Sequence, residues 1–338
     1  VDDPGGRKIH TKETPALGGI PIFLGVIISL AVWLPIGMIA TYKFYIVAIS
    51  FIFILGLRDD LSPVTALQKL LGQIGAASIL FFLCDIRIES FYGLFGLYQM
   101  PLWLSYFATI FTIIVITNSY NLIDGIDGLA GSVGLITLLF FGCWFLLNGR
   151  IHFSFIALAF SGALLAFLNF NWSPSKIFMG DSGTSIVGLL IALYTVYFIQ
   201  LNAGLPDAAT FKFKANIGTP IGLLIIPLVD TIRVFVKRTL DGKSFMAADN
   251  SHIHHVLLSM GNNHKQATII LLAIKIFFLA MVFSLRRYSD LIVLPVVIGT
   301  ALTLTIVLNV TYRKRKEKGD LDSKTTDSNQ VFINKTGS

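Results

Sequence analysis

Apolar runs close to the length of a membrane span recur through most of this 338-residue chain, and they restrict what it can fold into more than any other feature. Ten can be placed, at about 18–40, 44–57, 67–84, 101–117, 128–147, 152–169, 183–200, 217–232, 266–285 and 290–311. About twenty apolar residues of helix cover the roughly 30 Å of a bilayer's hydrocarbon core. Only 13% of the residues are charged against 54% hydrophobic, about half the charged fraction of a soluble domain. The fold class is therefore an all-α polytopic membrane protein with about ten transmembrane helices, the second one short.

No soluble domain of any size separates the spans and no internal repeat is visible, so residues 1–311 read as one transmembrane domain. Residues 312–338 read as a basic, then polar, disordered tail. The segment IRIESFYGLFGLYQMP (86–101) alternates like a short hairpin on the far side of the membrane and carries no evident chemistry. Cys84 and Cys143 read as packing residues. The chain opens with VDDPGGRKIH, without an initiator Met or a signal-type apolar segment.

Counting the spans alternately puts the N-terminal segment, 58–66, 118–127, 170–182, 233–265 and the tail on one face. That face carries 18 of the 26 Lys and Arg, against seven in the opposite loops and Lys275 within a span. The positive-inside bias makes the basic face cytoplasmic. Every motif with chemical potential falls on it, which implies an active site at the cytoplasmic surface.

Four constellations stand there. LRDD closes the second span with Arg58, Asp59 and Asp60, either as a surface cap or, with Lys69 heading the next span, as an acidic pair beside a phosphate-binding cation. In NLIDGIDGLAG, Asn121, Asp124 and Asp127 recur every three residues and share one polar helix face. Buried carboxylates at a membrane boundary are costly unless they meet a metal, a partner or water, and hard oxygen ligands suit magnesium or manganese rather than zinc. NFNWSPSKIFMGDSGT contributes Asn171, Phe178 and Asp181. Asp181-Ser182-Gly183 reads either as an N-cap or as metal-ligating, and the company of two other acidic loops favours ligation. Finally, DNSHIHHVLL holds His252, His254 and His255, half of the six histidines. No cysteine or spaced partner completes a zinc site in that loop, whereas imidazoles beside a phosphate can donate hydrogen bonds or, when protonated, neutralise charge.

In this order RKIH, PALGGIPIF, LRDD, NLIDGIDGLAG, FMGDSGT and HIHH resemble the polyprenyl-phosphate N-acetylhexosamine-1-phosphate transferases, over nearly the whole chain. HIHH is similar to the branch that transfers GlcNAc-1-phosphate to undecaprenyl phosphate. Relatives that transfer phospho-MurNAc-pentapeptide, the alternative activity, carry three adjacent histidines. The resemblance implies a bacterial cytoplasmic-membrane enzyme with its site facing the cytoplasm and one further span before RKIH, eleven in all. It implies that Asn121 and Asp181 hold magnesium, with manganese as substitute, and that Asp59, Asp60 and Lys69 form the catalytic group. Asp127, Asn171 and Phe178 would grip uracil, with Asp124 alongside them. His252, His254 and His255 would meet the sugar phosphate. Val256 departs from the pattern, standing where many relatives carry Arg. The implied partners are a UDP-N-acetylhexosamine, undecaprenyl phosphate and membrane lipids, with no nucleic acid; a homodimer is compatible with the sequence. A transporter would place its acids near the membrane midplane of repeated halves, and the CDP-alcohol phosphotransferases differ in the residues after Asp127.

Overall fold

The computed structural model describes residues 14–96, 98–242 and 252–335, with the backbone alone for 36–41, 95 and the residues after Glu317. RKIH and the start of the histidine loop lie outside the described residues. Twelve α-helices are present among them: α1 (Gly19–Trp33), α2 (Ile36–Leu61), α3 (Ala66–Cys84), α4 (Leu102–Leu122), α5 (Leu129–Leu147), α6 (Ile151–Asn171), α7 (Gly180–Gly204), α8 (Gly218–Leu223), α9 (Ile225–Leu240), α10 (Ile253–Ser259), α11 (His264–Ser284) and α12 (Asp290–Lys335). Seven of them, α3 to α7, α11 and the first 28 residues of α12, are long and apolar enough to cross a membrane. The chain is a multi-pass, all-helical membrane protein.

Local sequence explains where helices start. Thr65 and Gln68 form a reciprocal capping box at α3, each side chain meeting the other's backbone N–H at 3.0 and 3.3 Å. Asn263 and Gln266 repeat the device at α11, at 2.8 and 2.9 Å. Each box satisfies two of the N–H groups that a helix start leaves unpaired.

Three expectations change. The second span is not short: α2 runs 26 residues and ends on the LRDD motif. The eighth apolar stretch is two helices with a break at Leu224. Pro227 has no N–H to give the carbonyl of Leu223 four residues earlier, and the fully buried Lys275 of α11 donates to that carbonyl and to Thr137 Oγ1, 2.9 Å away. Segment 86–101 doubles back, with Met100 N–H on the Glu89 carbonyl at 3.1 Å, around a 3-10 turn at Leu94–Gly96 in place of paired strands.

Helix α7 is the axis of the bundle: 83% of its apolar stretch is buried inside the protein, against 17% for α12. α7 packs on α1, α2, α4 and α5. Contacts between them place the connections 62–65, 123–128 and 172–179 and the residues 252–263 at one end.

Candidate active site

At that end the N-terminus of α7 is the organising element. Sequence allowed Asp181 to be the cap of this helix, but the N-cap position is Met179 and no side chain caps it locally. The cap comes from 121 residues away: Asp60, at the end of α2, accepts the N–H of Asp181 at 2.6 Å and of Ser182 at 2.9 Å. A carboxylate placed on the positive end of a helix dipole stabilises it by up to ~2 kcal/mol. Asp181 is thereby released from capping, and its side chain turns to other groups.

Lys69, on the first turn of α3, bridges two carboxylates, with Nζ 2.6 Å from Asp59 Oδ2 and 2.9 Å from Asp181 Oδ1. Asp59 is fixed in turn by Val64 N–H at 2.9 Å. From the end of α4, Asn121 Nδ2 donates to the same Asp181 oxygen at 2.6 Å and to Thr184 Oγ1 at 2.7 Å. Asp124 completes the group from the loop after α4. Burial, and then the negative charges of Asp181 and Asp60, push its carboxyl up to about 7, although Gly180 N–H donates to it. The residues of LRDD, Lys69, NLIDG and GDSG, up to 122 positions apart, therefore meet in one place.

Gly180 sits at this junction with φ +72°. A Cβ there would run into the carbonyl of Ala16 as well as taking up a left-handed conformation that disfavours side chains. The reason is the N-terminal segment, which lies alongside the loop before α7: Phe178 N–H donates to the Pro15 carbonyl and Gly18 N–H to the Phe178 carbonyl, both at 2.9 Å. The segment PALGG thus clamps the loop that carries Phe178 and Asp181.

Asn171, Asp127 and Phe178, the residues that the resemblance assigns to uracil, form a neighbouring group. Asn171 is buried and locked, accepting Gly128 N–H at 3.0 Å and donating to the Ile177 carbonyl at 2.9 Å. Asp127 accepts from Ser175 Oγ at 2.9 Å and lies 3.4 Å from His264 Nδ1. Burial alone would raise its carboxyl, but the hydrogen bonds from His264 and Ser175 bring it down to about 2. Asp127 is therefore an anion at any physiological pH. Phe178 is half-buried at the edge of this group.

The three histidines cluster on α10 and its cap. His252 and His254 stack with ring centroids 5.6 Å apart, and His254 and His255 lie 4.3 Å apart. His254 closes on Gly125 so tightly that any side chain there would strike the imidazole, which ties the histidine loop to the loop of Asp124 and Asp127. Burial, and then the neighbouring His255, lower the His254 pKa to about 3, so His254 acts as a neutral hydrogen-bonding group, not as the cation that sequence allowed. The structure thus brings all twelve predicted residues to one end of the bundle.

Sequence reasoning missed Asp230, a buried carboxylate of α9. It accepts Ile253 N–H at 2.7 Å and pairs with His252 Nδ1 at 2.9 Å, so it anchors both the start of α10 and the first imidazole. The signal was present: an acid within an apolar stretch marks a functional group with a partner. His264 and Ser175, which hold Asp127, carried no such mark.

Among the described residues, Lys69 is the one cation paired within the group of Asp59, Asp60, Asp124 and Asp181. That surplus of negative charge, made of hard oxygen atoms, fits a magnesium-type ion. Among the described residues no three His, Cys, Asp or Glu side chains form a ready-made metal cage. Asn121 and Asp181 fit as two protein ligands, since magnesium usually takes one or two carboxylate-type ligands and completes its shell with water and phosphate oxygens.

Residues 42–199 match the model of glycosyl transferase family 4. The probable undecaprenyl-phosphate N-acetylglucosaminyl 1-phosphate transferase of Bacillus subtilis is 30% identical over 92% of this chain and 84% of its own length. The decaprenyl-phosphate N-acetylglucosaminephosphotransferase of Mycolicibacterium smegmatis is 31% identical over 91% of this chain and 80% of its own. The undecaprenyl-phosphate alpha-N-acetylglucosaminyl 1-phosphate transferase of Escherichia coli K12 is 25% identical over 86% and 78%. Motifs, fold and relatives agree that the chain belongs to glycosyl transferase family 4, as its polar loops led one to expect.

Proposed function

We propose that the protein transfers N-acetylhexosamine-1-phosphate, GlcNAc-1-phosphate in the first instance, from a UDP-sugar to undecaprenyl phosphate, releasing UMP at the cytoplasmic face of a bacterial membrane. The observation that carries this reading is the meeting of Lys69, Asp59, Asp181 and Asn121 from four different parts of the chain. Two anionic phosphates must be brought into line for the reaction, and a site with one lysine amid clustered oxygen ligands is built for phosphate and a divalent cation together.

A phosphate oxygen of the lipid forms a bond to the β-phosphorus of the nucleotide sugar, and the bond from that phosphorus to the bridging oxygen breaks. UMP leaves with the electron pair. Magnesium held by Asn121 and Asp181 would neutralise the donor's diphosphate. Lys69 orients the phosphates by its ammonium charge, and Asp59 takes the proton of the lipid phosphate monoester where it carries one. Asp60 keeps Asp181 in place by capping α7. Asp127, ionised throughout the working pH range, accepts the single ring N–H of the uracil, at N3, and Phe178 stacks on the ring. The neutral His254, with His252 and His255, hydrogen-bonds the sugar phosphate. The isoprenoid tail stays in lipid; a 250 Å³ apolar groove between α9, α10, α11 and α12 opens next to the histidine helix.

The test is incubation of the purified full-length protein with undecaprenyl phosphate and a panel of radiolabelled UDP-sugars, including UDP-MurNAc-pentapeptide, with label counted in the lipid fraction. UDP-GlcNAc should label the lipid, with magnesium required and a zinc-selective chelator without effect. Label from UDP-MurNAc-pentapeptide alone, or a zinc requirement, would overturn the reading.

A further inference from the structure

At the end of the bundle remote from the site, α5 and α11 flank a cavity of about 320 Å³. Its walls are the rings of Phe140, Trp144, Phe213 and Phe283, and its one charged lining residue is Arg286. The walls are fixed: Phe283 lies 5.7 Å from Phe140 and 5.5 Å from Phe213, ring to ring, and Trp144 Nε1 donates to the Phe211 carbonyl at 2.8 Å. Lys214 N–H donates to the Arg286 carbonyl at 2.8 Å, which sets a second cation beside the first, and Arg287 follows directly.

The pairing of charges on this face is uneven. Arg87 is paired with Asp85 and Glu89, and Lys212 with Asp207. Among the described residues Lys214, Arg286 and Arg287 form no direct ion pair with a carboxylate, Lys214 acting on Asp207 only at longer range, and the nearby Asp290 already accepts three backbone N–H groups, of Asn216, Ile217 and Gly218, at 2.6–3.0 Å. Three cations without a direct carboxylate contact among the described residues thus gather on the face that the distribution of Lys and Arg otherwise leaves poor in charge, against an aromatic slot whose outer residues, Leu139, Leu147 and Phe283, are exposed.

We propose that this cavity binds an anionic glycerophospholipid of the phosphatidylglycerol class, with part of an acyl chain against the rings and the headgroup phosphate on Arg286, Arg287 and Lys214. A guanidinium presents paired N–H donors to phosphate oxygens, and aromatic rings at the membrane boundary suit the junction of chain and headgroup. The acceptor lipid of the reaction is not the occupant. At 1.5 Å per residue the cavity runs along α5 from Ile136, about 10 Å from the start of the helix, to Leu147, about 27 Å from it, so a phosphate held at the far end, on Arg286, cannot reach Lys69.

Full-length protein in detergent would be titrated with phosphatidylglycerol, with phosphatidylcholine of the same chains, and with undecaprenyl phosphate, and retained lipid counted by native mass spectrometry. Wild type should hold phosphatidylglycerol at least about tenfold more tightly than phosphatidylcholine, given ~1 kcal/mol for each basic residue near an anionic headgroup. Arg286→Gln combined with Arg287→Gln and Lys214→Gln should abolish the preference, whereas Arg150→Gln, on the same face but outside the cavity, should keep it. Equal retention of the two phospholipids by wild type, an unchanged preference in the triple variant, or displacement by an equal concentration of undecaprenyl phosphate would overturn the proposal. Should the triple variant fail to fold, Cys143 reports instead, because it lines the cavity and is exposed. In a Cys84→Ser background phosphatidylglycerol should slow its maleimide labelling more than phosphatidylcholine does, and equal rates would count against the site.

Discussion

Asp60 and Asp290 play the same local part at opposite ends of the bundle. Each is a carboxylate that gathers backbone N–H groups from a segment far away in sequence, two for Asp60 and three for Asp290. Their surroundings differ. Around Asp290 no other carboxylate competes for the same groups, and the charge is consumed by the fold. Around Asp60 stand Asp59, Asp124 and Asp181, and among the described residues Lys69 alone pairs with them. A buried acid whose valences the backbone has filled is a structural acid; acids left in surplus at a membrane boundary are held for something that arrives from outside.

The comparison breaks most decisively at Asp181. Asp181→Asn should reduce transfer about a thousandfold, the scale of removing a group that stabilises developing charge. Membrane insertion and elution volume should stay as in wild type, because Asp60 and not Asp181 caps α7. Asp290→Ala should do the reverse: leaving three N–H groups without an acceptor lowers the stability by ~3 kcal/mol, visible as a lower thermal midpoint, while the folded fraction keeps its kcat. An Asp290→Ala enzyme that folds normally but is inactive would erase the distinction.

A smaller effect sharpens the account at Asp230, which is structural in its contacts yet touches the site through His252. Asp230→Asn should weaken transfer about tenfold without altering the magnesium requirement, since it perturbs a positioned imidazole and no proposed metal ligand. A changed magnesium dependence would place Asp230 in the metal site. Smallest is Phe178→Ala. Loss of a ring stacked on a base costs about 1–3 kcal/mol, so the KM for the UDP-sugar should rise roughly tenfold, and UMP inhibition should weaken in parallel, with little change in kcat. Equal KM with a collapsed kcat would remove the stacking role.

The spans and the site loops were legible because both depend on composition that a bilayer enforces: long apolar runs, and carboxylates too costly to leave at a boundary without purpose. What stayed hidden depends on contacts between distant segments. Nothing near GDSG says that its helix is capped by Asp60, and nothing in PALGG says that its backbone pairs with Phe178. The break between α8 and α9 was readable in part, since Pro220 and Pro227 flank it, but the lysine that satisfies its open carbonyl comes from α11. Asp230 was marked as an acid inside an apolar stretch, but it belongs to no motif, and its partners His252 and Ile253 became visible only when α9 was seen beside α10.

The central claim is that the surplus carboxylates form a divalent-cation site completed by the donor's phosphates. Manganese binding to the purified full-length protein, followed by electron paramagnetic resonance with UMP present, tests it most directly. Wild type and Asp290→Ala should each hold one manganese ion with matching affinity, and Asp181→Asn should bind it at least tenfold more weakly. Manganese bound equally well by Asp181→Asn and by wild type would contradict the claim.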